Sequence, residues 1–171
     1  CSQSRGLGDV YKRQLLFFIL CIGFVIIFFI DLKHFIIPNE ITYPLILIGF
    51  FKSFDPNLNI FLFPNFINSL IGGLFGYIII WLIIFIYKKL RNKEGMGLGD
   101  AKLLSVIGFW FGWISIPFVI FFSSAVALIS VIPDLIKNKK KLSSQIPFGP
   151  YLIIGCLIFL FLNEQIKLFL N

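Results

Sequence analysis

The sequence has little of what most hydrolytic and redox sites are built from. It contains one histidine and three cysteines in 171 residues, and no Cys-x-x-Cys pair. A catalytic zinc needs three protein ligands, and a Ser-His pair needs a histidine beside the nucleophile. The composition therefore excludes most metal-hydrolase designs and indicates no redox motif. We expect neither a metal nor an organic cofactor.

Charge is also scarce, since only 13% of the residues are charged and 58% are hydrophobic. A soluble domain of this length cannot hide so much apolar surface. The excess is concentrated in long runs, which is typical of an integral membrane protein. We therefore predict an all-α, polytopic transmembrane helical protein with about six spans. The expected spans lie within residues 15–30, 41–51, 66–87, the two halves of 103–132, and 148–162.

The run 103–132 is too long for one span. As a single helix it would measure ~45 Å, against a hydrocarbon core of ~30 Å. We expect a break at residues 113–117, because Pro117 disrupts a helix interior. Trp110 and Trp113 would then lie in an interfacial aromatic belt.

The net charge of +7 comes from lysines and arginines that cluster beside the apolar runs, in the loops 88–93 and 137–141. Such clusters orient a membrane protein with both loops in the cytoplasm, and we expect no nucleic-acid partner. Counting crossings from these loops puts Asp31 at the inner end of the first span. It puts Asp100 at the inner start of the fourth span, so both carboxylates are predicted at the cytoplasmic face.

The first fourteen residues differ from the rest. The chain begins with Cys1 instead of Met and is expected to be a fragment, and residues 1–14 are polar. We expect this segment to be non-native or disordered and exclude it from the fold. It contains Gly6-Leu7-Gly8-Asp9, the same tetrapeptide as Gly97-Leu98-Gly99-Asp100. The tetrapeptide alone is therefore weak evidence.

Asp31 and Asp100 each have an ordinary interpretation and a functional one. Asp100 can be the N-cap of a helix, with Gly97 and Gly99 as turn residues. Asp31 stands near a helix C-terminus, where the dipole disfavours an anion, and can pair with Lys33 or reach the interface. Functionally, acids at a bilayer edge are candidate site residues, and the glycines would let a substrate backbone approach. Two carboxylates that share one proton can hydrolyse a peptide, one activating water and the other polarising the carbonyl.

Three stretches resemble a known family. Residues 93–104, around Gly97-Leu98-Gly99-Asp100, and residues 108–113 resemble the second catalytic motif of bacterial type IV prepilin peptidases. Asp31 followed by Ile37-Pro38-Asn39 and Thr42 resembles the first catalytic motif. Residues 146–151 resemble the motif of the last helix. The resemblance covers residues ~15–163, in the right order.

This resemblance implies an intramembrane aspartic endopeptidase domain at 15–163, followed by a tail at 164–171. It implies a multi-pass protein of the bacterial inner (plasma) membrane with its active site at the cytoplasmic face. Such enzymes remove short basic leaders from type IV prepilins or type II secretion pseudopilins, ahead of a hydrophobic helix. By position, Asp31 and Asp100 would be the catalytic pair. The residues expected to form the substrate-binding loops are Gly97, Gly99, Lys102, Pro38 and Asn39.

The sequence also bears on which members of this class of peptidase the chain resembles, and on a non-enzymatic alternative. Bifunctional members carry a preceding domain with paired Cys-x-x-Cys, which is linked to N-methylation. This chain lacks that domain, so neither N-methylation nor S-adenosylmethionine binding is expected of it; either the fragment has lost the domain or the full protein never had it. Presenilin-like enzymes have Tyr-Asp and Pro-Ala-Leu where this chain has Ile30-Asp31 and Pro147-Phe148-Gly149; a preflagellin peptidase stays open. A non-enzymatic transporter or scaffold is the other alternative, although a transporter would place its acids at the midplane.

Overall fold

The structure, a computed structural model, describes residues 2–58, 64–91, 97–136 and 147–170. This part of the chain forms six α-helices and one short 3₁₀ turn, Pro56–Leu58, with no strand among the described residues. The prediction of an all-α polytopic protein is confirmed. The helices are α1 (Ser2–His34), α2 (Asn39–Lys52), α3 (Phe66–Arg91), α4 (Leu98–Phe111), α5 (Ser115–Ile136) and α6 (Gly149–Leu170).

Three helices are long and apolar enough to cross a membrane. Their apolar segments are Gly8–His34, Phe66–Leu90 and Ser115–Ile132, and Gly149–Leu162 is a shorter apolar helix. Less than a third of each long segment is buried inside the protein. Large side chains such as Phe18 and Phe121 point outward. Such a large exposed apolar surface is shielded from water when the helices lie in the hydrocarbon core of a membrane.

Helix α4 is the centre of the fold. Every residue from Asp100 to Phe111 except Lys102 is buried, and α2, α3, α5 and α6 all pack against it. At 14 residues it is ~21 Å long and too short to cross a ~30 Å core by itself. The placement of α4 therefore encloses Asp100 in protein.

The two backbones of α3 and α4 approach each other directly. The helices are so close that only glycine fits at positions 72 and 108. A Cβ built on Gly108 would lie 2.1 Å from the carbonyl oxygen of Gly72. Two serine hydroxyls then reach across to backbone carbonyls, Ser105 to Gly73 at 2.9 Å and Ser69 to Phe109. Small residues are the usual means of close helix contact in membranes.

The break expected between residues 103 and 132 is confirmed, but its cause differs from the one predicted. Helix α4 ends at Gly112, whose φ of +80° is readily adopted only by glycine. Pro117 follows in the first turn of α5, where its missing N–H costs nothing. The glycine therefore ends the helix, and the proline begins the next.

The predicted interfacial position of Trp110 is wrong, whereas Trp113 is 45% exposed. Trp110 is fully buried, and its indole N–H donates a 2.8 Å hydrogen bond to the carbonyl of Leu45 on α2. Because α4 is enclosed by other helices, its apolar residues face protein instead of the lipid interface.

Several predictions fall at the edges of the described structure. The basic segments 92–96 and 137–146, including Ile146 of the third motif, lie outside the described residues. Helix α1 begins at Ser2, so the polar residues 2–14 continue the first helix. Whether they are native, and whether the domain runs over 15–163 with a tail at 164–171, stay predictions.

Candidate active site

Three motifs that are distant in the sequence meet at one place. The backbone N–H of Gly149, the first residue of α6, donates a 3.0 Å hydrogen bond to Oδ2 of Asp31. Ile37 packs between the motifs, since Cβ atoms built on Gly99 and Gly149 would lie 2.9 Å and 3.2 Å from its side chain. The C-terminal end of α1, the start of α4 and the start of α6 therefore share one site.

Asp31 lies one turn before the end of α1, and its carbonyl accepts the N–H of Phe35 at 2.9 Å. Phe35 has a φ of +57°, which ends the helix and turns the chain toward Pro38 and α2. The Asp31 side chain is only 4% exposed. Asp31 is therefore buried and bonded to a backbone N–H, and its side chain does not reach toward the membrane interface.

Asp100 does not cap α4, as its ordinary interpretation would require. The N-cap is Gly97, which makes no side-chain capping hydrogen bond, and Asp100 is the third helical residue. Its side chain is 8% exposed, and it lies outside the three helices long enough to cross a membrane. Burial, together with the nearby charge of Asp31, raises the pKa of Asp100 from its ordinary value of 3.8 to about 7.

Ile37 lies against both Gly99, which precedes Asp100, and Gly149, whose N–H is bonded to Asp31, so the two carboxyl groups belong to one site. Two such groups repel as anions, so the pair favours holding one proton. An ionised carboxylate can activate water, and a protonated carboxyl can polarise the scissile carbonyl. In the described part of the chain, no three His, Cys, Asp or Glu side chains are grouped so as to hold a metal ion.

Gly97 and Gly99 are placed differently with respect to the acids. Gly97 is exposed, and a Cβ built on it would meet nothing closer than 3.8 Å. Gly99 is pressed against Ile37, where a Cβ would lie 2.9 Å from that side chain. Gly99 therefore allows α4 to approach the segment after Asp31, while Gly97 leaves the surface before Asp100 open.

The other three predicted loop residues lie at the start of α2 and α4. Pro38 is the N-cap residue of α2, and its carbonyl accepts both the N–H and the hydroxyl of Thr42. Lys102 donates a 2.6 Å hydrogen bond from Nζ to Oδ1 of Asn39. Lys102 and Asn39 thus join the start of α4 to the start of α2, and the roles of these three residues toward a substrate stay predictions.

One group of the site was missed at the sequence level. Gly149 was recognised as part of the last-helix motif, but no role was assigned to it. The available signal was a glycine flanked by Pro147 and Pro150, which indicates a restricted backbone at a helix start. Which group its N–H would meet could not be deduced from that pattern.

Comparison with known proteins identifies the family to which this site belongs. The model of the type IV leader peptidase family matches residues 18–132. The chain belongs to the type IV leader peptidase family. The resemblance found in the three motifs is therefore confirmed.

Curated relatives support the same assignment of this leader peptidase family member. The prepilin leader peptidase/N-methyltransferase of Pseudomonas aeruginosa is 36% identical over 145 residues, covering 84% of this chain and 48% of the relative. That of Aeromonas hydrophila is 36% identical over 138 residues, covering 81% and 46%. That of Dichelobacter nodosus is 32% identical over 151 residues, covering 83% and 50%. The chain spans about half the length of the curated relatives it matches. No solved structure matches it.

Proposed function

We propose that this chain is the catalytic part of an aspartic endopeptidase that cleaves the leader peptide of type IV prepilins or type II secretion pseudopilins. The observation that carries the proposal is the pair of buried acids, Asp31 on α1 and Asp100 on α4, whose chain segments meet at Ile37 and Gly149. The relatives are prepilin leader peptidases, which supports prepilins as the substrate. The two acids occupy the positions that the first and second motifs assign to the catalytic pair.

The chemistry requires one proton on the pair. The ionised carboxylate takes a proton from water while the water oxygen bonds to the scissile carbonyl carbon, and the protonated carboxyl donates to the carbonyl oxygen. The tetrahedral intermediate then collapses. The carboxyl that took the proton from water gives it to the amide nitrogen, the C–N bond breaks, and a hydroxyl of the intermediate returns its proton to the other carboxylate. The products are a carboxyl and an amine, and the pair again holds one proton. Burial of both acids strengthens these interactions by excluding water.

The substrate would enter beside the start of α4. Gly97 leaves open space before Asp100, whereas Lys102, Asn39 and Pro38 form the adjoining surface of α2 and α4. A substrate backbone can approach a glycine more closely than any other residue. The hydrophobic helix that follows the cleavage site in the substrate would lie in the bilayer beside the exposed apolar surface.

We further propose that the site faces the cytoplasm and that the protein is a multi-pass protein of the bacterial inner membrane. The support is the clustering of lysine and arginine in the segments 88–93 and 137–141, because positively charged loops stay on the cytoplasmic side. Asp31 and Asp100 stand at helix ends on the same side of the protein as one another. The site therefore belongs to one membrane face.

The peptidase function is tested with the full chain reconstituted in liposomes and a purified prepilin. We expect the wild-type chain to release the leader, and both Asp31→Asn and Asp100→Asn to lower the rate roughly 10²–10⁴-fold, the usual contribution of a general acid or base. Leader release is followed by gel shift and mass spectrometry. A pseudopilin substrate in a parallel assay compares the two substrate classes.

The sequence offers a matched control. Asp9→Asn changes the aspartate of the second Gly-x-Gly-Asp tetrapeptide, Gly6-Leu7-Gly8-Asp9, and should leave cleavage unchanged. Full activity of both the Asp31→Asn and the Asp100→Asn variants would disprove the two-aspartate mechanism.

The orientation is tested separately by labelling single cysteines. Leu32→Cys and Leu98→Cys place thiols at exposed positions beside the two acids, in a chain whose native cysteines are replaced by alanine. A membrane-impermeant maleimide should label both thiols in inside-out vesicles and neither in intact spheroplasts. Labelling from the outside, or from opposite sides for the two positions, would contradict the proposed topology.

A further inference from the structure

We infer that the backbone N–H of Gly149 is a positioning group of the active site, which holds Asp31 as the ionised general base and leaves the shared proton on Asp100. The inference rests on the proposed peptidase function. It adds to that function a division of labour between the two acids and a role for α6.

The geometry at the start of α6 favours a negative charge on Asp31. The first N–H groups of a helix have no partner inside the helix, and the helix dipole makes this end positive. Pro150 has no N–H, and the N–H of Leu152 is already bonded to Phe148. Gly149 therefore supplies one of the few free donors of the first turn, and it points at Oδ2 of Asp31 at 3.0 Å.

Only glycine fits at position 149 beside the carboxyl of Asp31. A Cβ built on Gly149 would lie 2.5 Å from Oδ2 and 3.2 Å from Cγ of Asp31. Since Asp31 is 4% exposed, water does not replace this donor readily. A hydrogen bond to a carboxylate stabilises the charged form, and a buried charged group depends on such bonds.

Asp100 lies in a different environment. Asp100 stands in the first turn of α4, where the helix dipole favours an anion, but within the described residues no N–H donates to its carboxyl. Burial together with the charge of Asp31 then favours the neutral carboxyl. The ammonium of Lys102, on the same turn of α4, is bonded to Asn39. Lys33 and His34, near the end of α1, are exposed. The single proton therefore belongs on Asp100, which can donate it to the scissile carbonyl.

A glycine could also be needed only because two helices pack closely, and the experiment must separate these roles. Replacing Gly149 with glycolate, its α-hydroxy analogue, changes one amide to an ester, which removes the N–H and keeps the size of the residue. The matched control is the α-hydroxy analogue of Tyr151, which removes another N–H of the same helix turn and leaves the bond to Asp31 intact. A third variant, Gly149→Ala, pushes a methyl group against Asp31.

The full chain with each change is made by cell-free synthesis with suppressor tRNA, reconstituted in liposomes and assayed with a prepilin. We expect Gly149→glycolate to lower kcat about 10- to 100-fold, the effect of losing one hydrogen bond to a charged group, with KM unchanged. Gly149→Ala should lower kcat at least as much, and the Tyr151 analogue should keep the wild-type kcat. Thermal unfolding gives the folded fraction to which each kcat is referred.

The outcomes distinguish this inference from the proposed function. Wild-type kcat in the glycolate variant, or an equal loss in the Tyr151 analogue, would overturn the positioning role even if both aspartates prove essential. An inactive wild-type chain, or an active Asp31→Asn variant, would instead overturn the proposed function and the inference with it.

Discussion

Lys102 on α4 and Asn39 on α2 are joined by a 2.6 Å hydrogen bond from Nζ to Oδ1, and the same ammonium lies 5.2 Å from the centre of the Tyr43 ring. Lys102 follows Asp100 by two residues, and Asn39 follows Asp31 by eight. The contact therefore ties together the two chain segments that carry the acids. It is solvent-accessible, so its energy is modest.

Removing this contact should reduce catalysis more than stability. Lys102→Met keeps the length of the side chain but loses the donor and the charge, and we expect kcat/KM for prepilin cleavage to fall about five-fold, which corresponds to ~1 kcal/mol. Lys89→Met, an exposed lysine on α3, is the control and should leave kcat/KM unchanged. Wild-type kcat/KM in Lys102→Met would show that this link has no part in the reaction.

The buried carboxyl of Asp100 makes stability depend on pH. Its pKa is raised from 3.8 to about 7 in the folded protein by burial and by Asp31. Between these values the folded state holds a proton that the unfolded state has lost, so the contribution of this group to stability falls as pH rises and stays low above about 7. Asp100→Asn is neutral throughout. We therefore expect its melting temperature to exceed that of the wild type by a margin that grows from pH 4 to pH 7.

The control for this pH dependence lies on the same helix. Ser105→Ala removes the buried hydrogen bond to Gly73 but no titratable group, so its difference from the wild type should stay constant with pH. The melting temperatures are measured in detergent at pH 4 to 8. A constant difference for Asp100→Asn over this range would contradict the raised pKa.

Lys52 should stabilise the opposite end of α4. Its side chain is 6% exposed, and Nζ donates a 2.8 Å hydrogen bond to the carbonyl of Trp110, in the last turn of the helix. A lysine amine near a helix C-terminus can donate to one of the last carbonyls of the helix. Lys52→Met leaves that carbonyl buried without this donor, so we expect a loss of about 1–3 kcal/mol in the free energy of unfolding.

Denaturation of the purified protein in mixed micelles measures this loss. Lys89→Met again serves as the control, because it removes a lysine from an exposed position of α3. If Lys52→Met unfolds at the same denaturant concentration as the control, the contact between Lys52 and Trp110 does not stabilise the fold.

The sequence carried enough information for the helices and for the pairing of the acids. Long apolar runs determine the helices, because only a hydrogen-bonded helix or a closed barrel satisfies its backbone in lipid. The predicted crossings would bring Asp31 and Asp100 to the same membrane face, which stays a prediction. Both steps depend on local composition and on the order of segments along the chain.

The remaining features depend on contacts between distant residues. Trp110 was expected at the interface, but an apolar helix in a membrane has the same composition whether it faces lipid or protein. Likewise, nothing local indicates that Gly149 would donate to Asp31, which precedes it by 118 residues. Asp100 resembled an N-cap because the start of the helix, at Leu98, could not be determined from the sequence to within a few residues.

Because α3 and α4 approach so closely, we expect even a small substitution between them to destabilise the protein strongly. A methyl group on Gly108 would lie 2.1 Å from the carbonyl oxygen and 2.4 Å from the carbonyl carbon of Gly72. Both atoms belong to the backbone, so no side-chain rotation relieves the overlap, and the helices must separate. Gly108→Ala should therefore lower the free energy of unfolding by about 3 kcal/mol, the upper end of ordinary overpacking. Because α4 carries Asp100, cleavage should fall in parallel.

Gly97, the N-cap residue of the same helix, provides the comparison. Gly97 has a φ of −82°, which alanine adopts freely, and a methyl group there would meet nothing closer than 3.8 Å. Gly97→Ala should change the free energy of unfolding by about 1 kcal/mol or less. Denaturation of the two variants in the same micelles decides the matter. Equal stability of Gly108→Ala and Gly97→Ala would mean that α3 and α4 do not meet backbone to backbone, and that Asp100 is positioned by other contacts.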